Sequence, residues 1–586
     1  MMLACVPDDQ YSQKQSTAED AKMDGKLTMD ISRQLRQPMA STSADAANCY
    51  DRINHIIMSL LLIAITGWVG AVTALLYPIQ IMKFYQRTAR GDSNTFMGGP
   101  DRLAMGLLLL QGLCQGNGAA PACWTMLASV LFHCYTRQGF GSEMLSPLSG
   151  TLISFIGTLF VDDTDLVVYL PELKDSASVF REMQDSVSEW GHLLCSTGGA
   201  LKPEKCYWYM IDYECNEFGI WNYAACVNQE LLIPLLDGTM VPIQQLGVYE
   251  SKEMLGVWSC PAGDGTKHIE EKVLKRVKVW VERTTNGHLP ARFAWVSYKF
   301  KLWPGMRYGL ATLATPLRVA QGLLRGVERS MLPFLGVNRN IKRGWSTLPL
   351  AFGGVGLLSF PVEQMICWMN MIVQHFGVPS TLGKKFRASL EALQLEIGSR
   401  GNPLLCSYAL LHDLVTPCWF KTFWERLDYF GYELYLDYPD LDLPRQHDVT
   451  MMDIFLAAGE SGEGLKSLNR CRLKMELLFL SDGTTANGRQ LEQWMLLPKT
   501  DDVSCSQFTF PREVPSRSDW TYWNTFWTNY TEPGFYLPSP LGTWVAQSHR
   551  TWSWYYDSTN DILQRVENDG IAYYHSLGGR RRTRGS

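Results

Sequence analysis

Thr151-Leu-Ile-Ser-Phe-Ile-Gly-Thr-Leu-Phe160-Val161-Asp162-Asp163-Thr164-Asp165-Leu166-Val167-Val168-Tyr169 is an apolar run, a short acidic break and a second apolar run. Two β-rich segments separated by a few polar residues read as a hairpin, with Asp162 and Asp163 at its tight turn. Adjacent carboxylates at such a tip suit chemistry that holds a divalent cation. The string aromatic-x-Asp-Asp is short enough to occur by chance, so its weight depends on the blocks around it.

Four further blocks stand in order along the chain. Asp45-Ala-Ala-Asn-Cys-Tyr50-Asp51-Arg52 places an acid at the entry to a helix, with an aromatic five residues on. Leu113-Cys114-Gln115-Gly116-Asn117-Gly118 is a Gly-rich turn running into an apolar helix. Downstream come Leu201-Lys202-Pro203-Glu204-Lys205 and Glu253-Met254-Leu255-Gly256-Val257. Taken singly, each has an ordinary structural explanation. Asp45 reads as an N-cap, Asp162-Asp163 and Gln115-Gly116 as solvated turns, Tyr50 as core and Lys205 as a surface lysine.

Taken in order, the blocks resemble the reverse transcriptase of non-LTR (LINE-type) retrotransposons: an Asp-x4-aromatic-Asp-Arg motif A, a Gln-Gly motif B, an aromatic-x-Asp-Asp motif C, a Lys-bearing motif D and a Leu-Gly motif E. The resemblance runs from about residue 10 to about residue 375 and includes Phe352-Gly353-Gly354-Val355-Gly356-Leu357, similar to a Gly-Gly-x-Gly-Leu segment found after the thumb. It implies an α+β fold: a right-hand polymerase palm, with an antiparallel sheet backed by helices, then a helical thumb and a mainly helical C-terminal region. The expected divisions are 1–265 (palm with a residual fingers helix), 266–360 (basic thumb), 361–575 (helical, aromatic-rich) and 576–586 (basic disordered tail).

The activity implied is RNA-directed DNA synthesis by two-metal nucleotidyl transfer, from deoxynucleoside triphosphates to the 3′-hydroxyl of a DNA primer on an RNA template. Asp45, Asp162 and Asp163 would hold Mg²⁺, or Mn²⁺ in its place, since the cluster offers only oxygen. Tyr50 would lie under the sugar and favour deoxynucleotides, and Gln115 and Gly116 would touch the incoming nucleotide. Lys205 matches the lysine that can protonate the leaving pyrophosphate. The alternative is a catalytically silent nucleic-acid-binding remnant. Only 44 residues precede Asp45, so the resemblance implies that most of the fingers subdomain is lacking. No endonuclease, RNase H or zinc-knuckle pattern is visible. Met39-Ala-Ser-Thr-Ser-Ala44, the strand into motif A, is more polar than a buried central strand should be, and the polar part of Tyr135 to Gly157 has no evident role.

Charge is informative by region. The net is −5, yet between Lys267 and Arg343 sixteen Lys and Arg face four Glu, a local excess of +12. Ile269 to Val281 reads as a helix with Val273, Leu274, Val277 and Trp280 on one face and Lys272, Lys275, Arg276 and Lys278 elsewhere, a surface suited to a nucleic-acid backbone.

Other helices are expected at 14–37, ended by Pro38, and at 175–195, and a hairpin around Asp237-Gly238. Fifteen cysteines without a C-x-x-C pair indicate neither zinc ribbon nor disulfide framework. The N-terminus lacks the pattern of a signal peptide, which suggests the cytoplasm or nucleus. Ile56 to Leu76 is uncharged for 21 residues, long enough for a membrane span. Its place directly after motif A argues instead for a helix beneath the sheet, and no membrane partner is expected. The thirteen aromatics of 520–556 read as a small core rather than a base-stacking platform, because Arg550 is the only Lys or Arg among them.

Overall fold

The computed structural model describes residues 7–13, 16–47, 49–76, 119–225, 229–287, 289–500 and 506–545, and the backbone of short strands at 85–88, 91–96, 553–557, 562–566 and 572–576. It is a mixed α/β structure with one small, largely antiparallel sheet and many helices. The first helix, α1 (Ala18–Leu35), starts where the Asp20 amide donates to Thr17 Oγ1 at 3.1 Å and the Thr17 amide donates to the Asp20 carboxylate at 2.7 Å. It stops at Arg36, in the left-handed conformation, two residues before Pro38.

The sheet uses β1 (Met39–Ser43), β4 (Gly157–Phe160), β5 (Asp163–Val168), β6 (Tyr207–Ile211) and β7 (Gln244–Leu246), in the order β7-β6-β1-β5-β4, and only β7–β6 is parallel. A hairpin, β2 (Ser142–Leu145) with β3 (Leu152–Phe155), stands beside it. Gln10 forms a single parallel bridge to Leu159 on β4. The polar strand β1 is central and buried, which corrects the expectation drawn from its composition. The buried Thr42 hydroxyl finds a partner, donating to Met183 Sδ at 3.1 Å.

Strand alternation divides the sheet side chains between two cores. Ala40, Leu166, Val168, Trp208 and Met210 face α3 (Ala120–Arg137) and α4 (Ser176–Ser196), meeting Trp124, Leu127, Met183 and Trp190. Met39, Val167, Tyr209 and Ile211 face Ile31 and Leu35 of α1 and Ala388 and Ala392 of a distant helix, α7 (Thr381–Ile397). Full burial of each large apolar side chain contributes roughly 1.5–3 kcal/mol. The polar part of residues 135–157 thereby acquires a role. Ser146 Oγ, the Leu148 amide, and the Ser149 amide and hydroxyl all donate to one oxygen of buried Glu391, at 2.5, 2.9, 3.0 and 3.2 Å. The β2–β3 turn is thus fastened to α7.

The apolar run 56–76 is broken. Helix α2 (His55–Thr66) ends at Gly67, in the left-handed conformation, and a second helical segment starts at Gly70. No described helix is long and apolar enough to cross a membrane. The run is not simply buried under the sheet either, since Ile56, Leu60, Trp68 and Val69 are more than half exposed while Met58 and Leu62 are buried. The expected helix at 175–195 and the hairpin around Asp237-Gly238 are present as Ser176–Ser196 and as Leu232–Pro234 paired with Met240–Pro242.

Residues 266–286 form one continuous helix with a π turn at Ile269–Leu274, continuing as α5 (Lys275–Asn286). With α6 (Ala291–Ser297) and the segments to Phe360 it encloses its own core. In the C-terminal region Trp520, Trp523 and Trp527 are buried along the helix Arg517–Tyr530, as the aromatic-core reading expects. Among the strands at 553–576 only the backbone is described, an antiparallel trio in a region expected to be mainly helical. Trp552 and the 576–586 tail lie outside the described residues, apart from Ser576 at the end of the last strand.

Candidate functional site

The pairing of β1 with β5 sets Ser43 against Asp165 and continues through a 2.8 Å hydrogen bond from the Ala44 amide to the Thr164 carbonyl. Asp45 therefore leaves β1 at the sheet end where Asp163 enters β5. Across the turn Phe160 pairs with Asp163, so Val161 and Asp162 are the two turn residues. Val161 has φ of 59°, the positive value the first position of a tight hairpin turn demands. Its carbonyl is held by Trp124 Nε1 at 2.5 Å. On the other side of β1, the Lys202 amide donates to the Asp45 carbonyl at 2.9 Å, which delivers Lys205 Nζ to within 3.1 Å of the Asp45 carboxylate. Segments around residues 45, 162 and 205 thus meet at one end of one sheet.

The electrostatics follow from that convergence. The Asp163 carboxyl is pushed up to about 6, first by burial and then by the negative charges of Asp162, Asp165 and Asp45, with Lys205 opposing. Lys205 is held above its ordinary value by its hydrogen bond to Asp45 and by that carboxylate's charge. Burial followed by the charge of Asp162 pushes the Tyr50 phenol up to about 12. Tyr50 is partly buried and meets Trp124 edge-on, with ring centroids 6.4 Å apart. The oxygen-only set of Asp45, Asp162 and Asp163 suits a hard divalent cation such as Mg²⁺, and the crowding of negative charge felt by Asp163 is what such a cation relieves. Among the described residues, however, no three Asp, Glu, His or Cys side chains converge closely enough to hold an ion, and Lys205 is the counter-charge of Asp45. Gln115 and Gly116 lie outside the described residues.

Four neighbours escaped sequence reasoning. The buried Cys49 thiol is pushed up, first by burial and then by the charge of Asp162. Trp124 holds the turn. Asp165, two residues beyond Asp163 and so on the same face of β5, is raised by burial. Lys22 of α1 faces Asp165 and Asp163, and burial lowers it. The i, i+2 spacing of Asp163 and Asp165 was a usable signal. Nothing local marks Lys22.

The basic helix differs in detail from its expected helical wheel. Val273, Val277 and Trp280 are buried, but Leu274 is 41% exposed, because the π turn shifts the register by one residue at that point. Lys272 is ion-paired with Glu253, Lys275 lies 3.4 Å from Glu271, and Arg276 donates to the Gly305 carbonyl. Lys278 is exposed. Lys272, Lys275 and Arg276 line a cleft of about 720 Å³ that Lys278 does not reach.

No protein-family profile matches the chain, and no curated protein sequence matches it. Among solved structures, telomerase from Candida albicans in complex with the TWJ fragment of telomeric RNA is similar at 10% identity and a TM-score of 0.27, over 66% of this chain and 52% of that one. The chain spans about half the length of that telomerase, and a likeness this distant carries nothing further about fold or activity.

Proposed function

We propose that the chain is an RNA-directed DNA polymerase of the non-LTR retrotransposon type, with the sheet as its palm and residues 266–360 as its thumb. The observation supporting this reading is the meeting of three distant acidic and basic blocks, Asp45, Asp162-Asp163 and Lys205, at one sheet end. Its substrates would be deoxynucleoside triphosphates and a DNA primer on an RNA template. Magnesium held by Asp45, Asp162 and Asp163 would supply activation of the primer hydroxyl and charge neutralisation. Of the chain's own groups, Lys205 would give a proton to the leaving pyrophosphate, and Tyr50, whose phenol feels the charge of Asp162, would lie under the nucleotide sugar and favour deoxynucleotides. Trp124 holds the carboxylate turn in place through the Val161 carbonyl.

The test is deoxynucleotide incorporation on a primed RNA template with Mg²⁺, comparing the chain with Asp162→Ala. Incorporation lost on substitution is the expected result. One feature favours a second reading, a nucleic-acid-binding protein without turnover: Lys205 takes the Asp45 carboxylate, and the described acids do not converge. Retained template–primer binding without incorporation by either version would select it.

A further inference from the structure

The cleft between α5 and the segment following α6 has a lining that the carboxylate site does not account for. Its floor is apolar and aromatic: Trp258, Val279, Trp280, Leu289 and Leu302. Five cations, Lys272, Lys275, Arg276, Arg283 and Lys301, stand around that floor against two carboxylates, Glu253 and Glu271. The carboxylates are already engaged, by Lys272 and Lys275. Arg283 and Lys301 are exposed, and their side chains have no ion-pair or hydrogen-bond partner among the described residues. Two uncommitted cations on opposite elements, above an apolar floor in a cleft of about 720 Å³, match a flat apolar body that carries negative charge. That volume lies within the range of small-molecule sites.

We infer that this cleft is a second nucleotide-binding site, separate from the carboxylates, which takes a base against its floor and a phosphate between Arg283 and Lys301. The same chemistry is presented by a free nucleotide and by the unpaired end of a strand. Binding here needs neither Asp162 nor a metal ion, so the inference stands apart from the polymerase reading.

The experiment measures binding of a short fluorescent oligo(dT) to the full chain by anisotropy, without divalent metal, for the unmodified protein, Arg283→Ala/Lys301→Ala and Val279→Trp. Both cations are exposed and uncommitted, and Val279 is 38% exposed, so these substitutions leave the fold intact. The double substitution is expected to weaken binding at least about tenfold, as loss of two charge-assisted contacts does. Val279→Trp, which fills the cleft without changing charge, is expected to weaken it similarly. Competition by ATP marks a site for free nucleotides; oligonucleotide binding that ATP does not displace marks a site for strand ends. Unchanged binding by the double variant overturns the inference. So does a loss on Arg283→Ala/Lys301→Ala that Val279→Trp fails to reproduce, since that pattern belongs to diffuse electrostatics rather than to the cleft.

Discussion

A Cβ at Gly157 would stand 1.8 Å from the Asp165 carbonyl oxygen, so this position of β4 admits no side chain while the hairpin stays closed. Gly157→Ala is expected to part β4 from β5, costing about 3 kcal/mol or more, and to remove any activity of Asp162 and Asp163 with it. A urea midpoint measured beside the incorporation assay checks both effects. Val161 presents the opposite case. A β-branched residue at a φ of 59° is disfavoured there, and only its backbone carbonyl is used, by Trp124. Val161→Asn is therefore expected to stabilise the chain by about 1 kcal/mol, read as a raised urea midpoint with unchanged slope. The acidic tip was legible in sequence because turn chemistry is local. The strain at Val161 was not, because the sequence put Asp162 and Asp163 at the turn, whereas the pairing of Phe160 with Asp163 makes Val161 its first residue.

Helix α1 shows where local reading ends. Its existence and its stop before Pro38 were legible from the sequence and from proline, but nothing in the sequence marks the surroundings of Asp20, Asp24 and Asp30. In the structure all three are buried against the C-terminal region. Asp24 lies 2.6 Å from Lys385 of α7, Asp20 lies 3.0 Å from His375, and Asp30 accepts the Trp419 amide at 2.7 Å. Gln34 and Ser389 exchange hydrogen bonds at 3.1 and 2.9 Å. A carboxylate destined for a partner 361 residues along the chain has no local signature. Because Asp24 and Lys385 are both essentially inaccessible, removing either alone strands the other charge: Asp24→Leu or Lys385→Met is expected to cost about 3–5 kcal/mol. The double variant should recover most of that loss. A double-mutant cycle by chemical denaturation checks it, and two additive single losses would deny that the pair acts as a unit.

Across the whole chain, α1 and α7 bind the sheet into one packing unit with the C-terminal helices, through a core that takes Ala21, Met23 and Leu27 from α1 together with Phe386, Trp419 and Trp523. That burial extends to carboxyl groups the sequence could only present as surface acids. Asp9 is pushed up to about 7, chiefly by burial, with Lys385 opposing; Glu396 is pushed to about 7 by burial against Arg36 and Thr416; Asp448 reaches about 6, again by burial. Each of these keeps its proton in the folded state over a range where the unfolded chain, with carboxyl values near 4, has lost it. The folded state then binds more protons, so stability falls as pH rises, by up to about 1.4 kcal/mol per pH unit for each group between its unfolded and folded values. Buried His268 works the other way. Its folded value is lowered to about 4, mainly by burial, so below its unfolded value near 6.5 the unfolded state gains the proton and stability falls on acidification. These three acids, joined by Asp163, against one histidine leave a net gain on lowering the pH from 7 to about 5, partly offset below 6.5. The urea midpoint is expected to be higher at about pH 5 than at pH 7 and to decline steadily as the pH rises between them. Asp9→Asn with Glu396→Gln preserves the acceptors for the Ile156 amide and for Thr416 and should flatten that decline. A double variant that keeps the full slope between pH 6 and 7 would place the protons elsewhere.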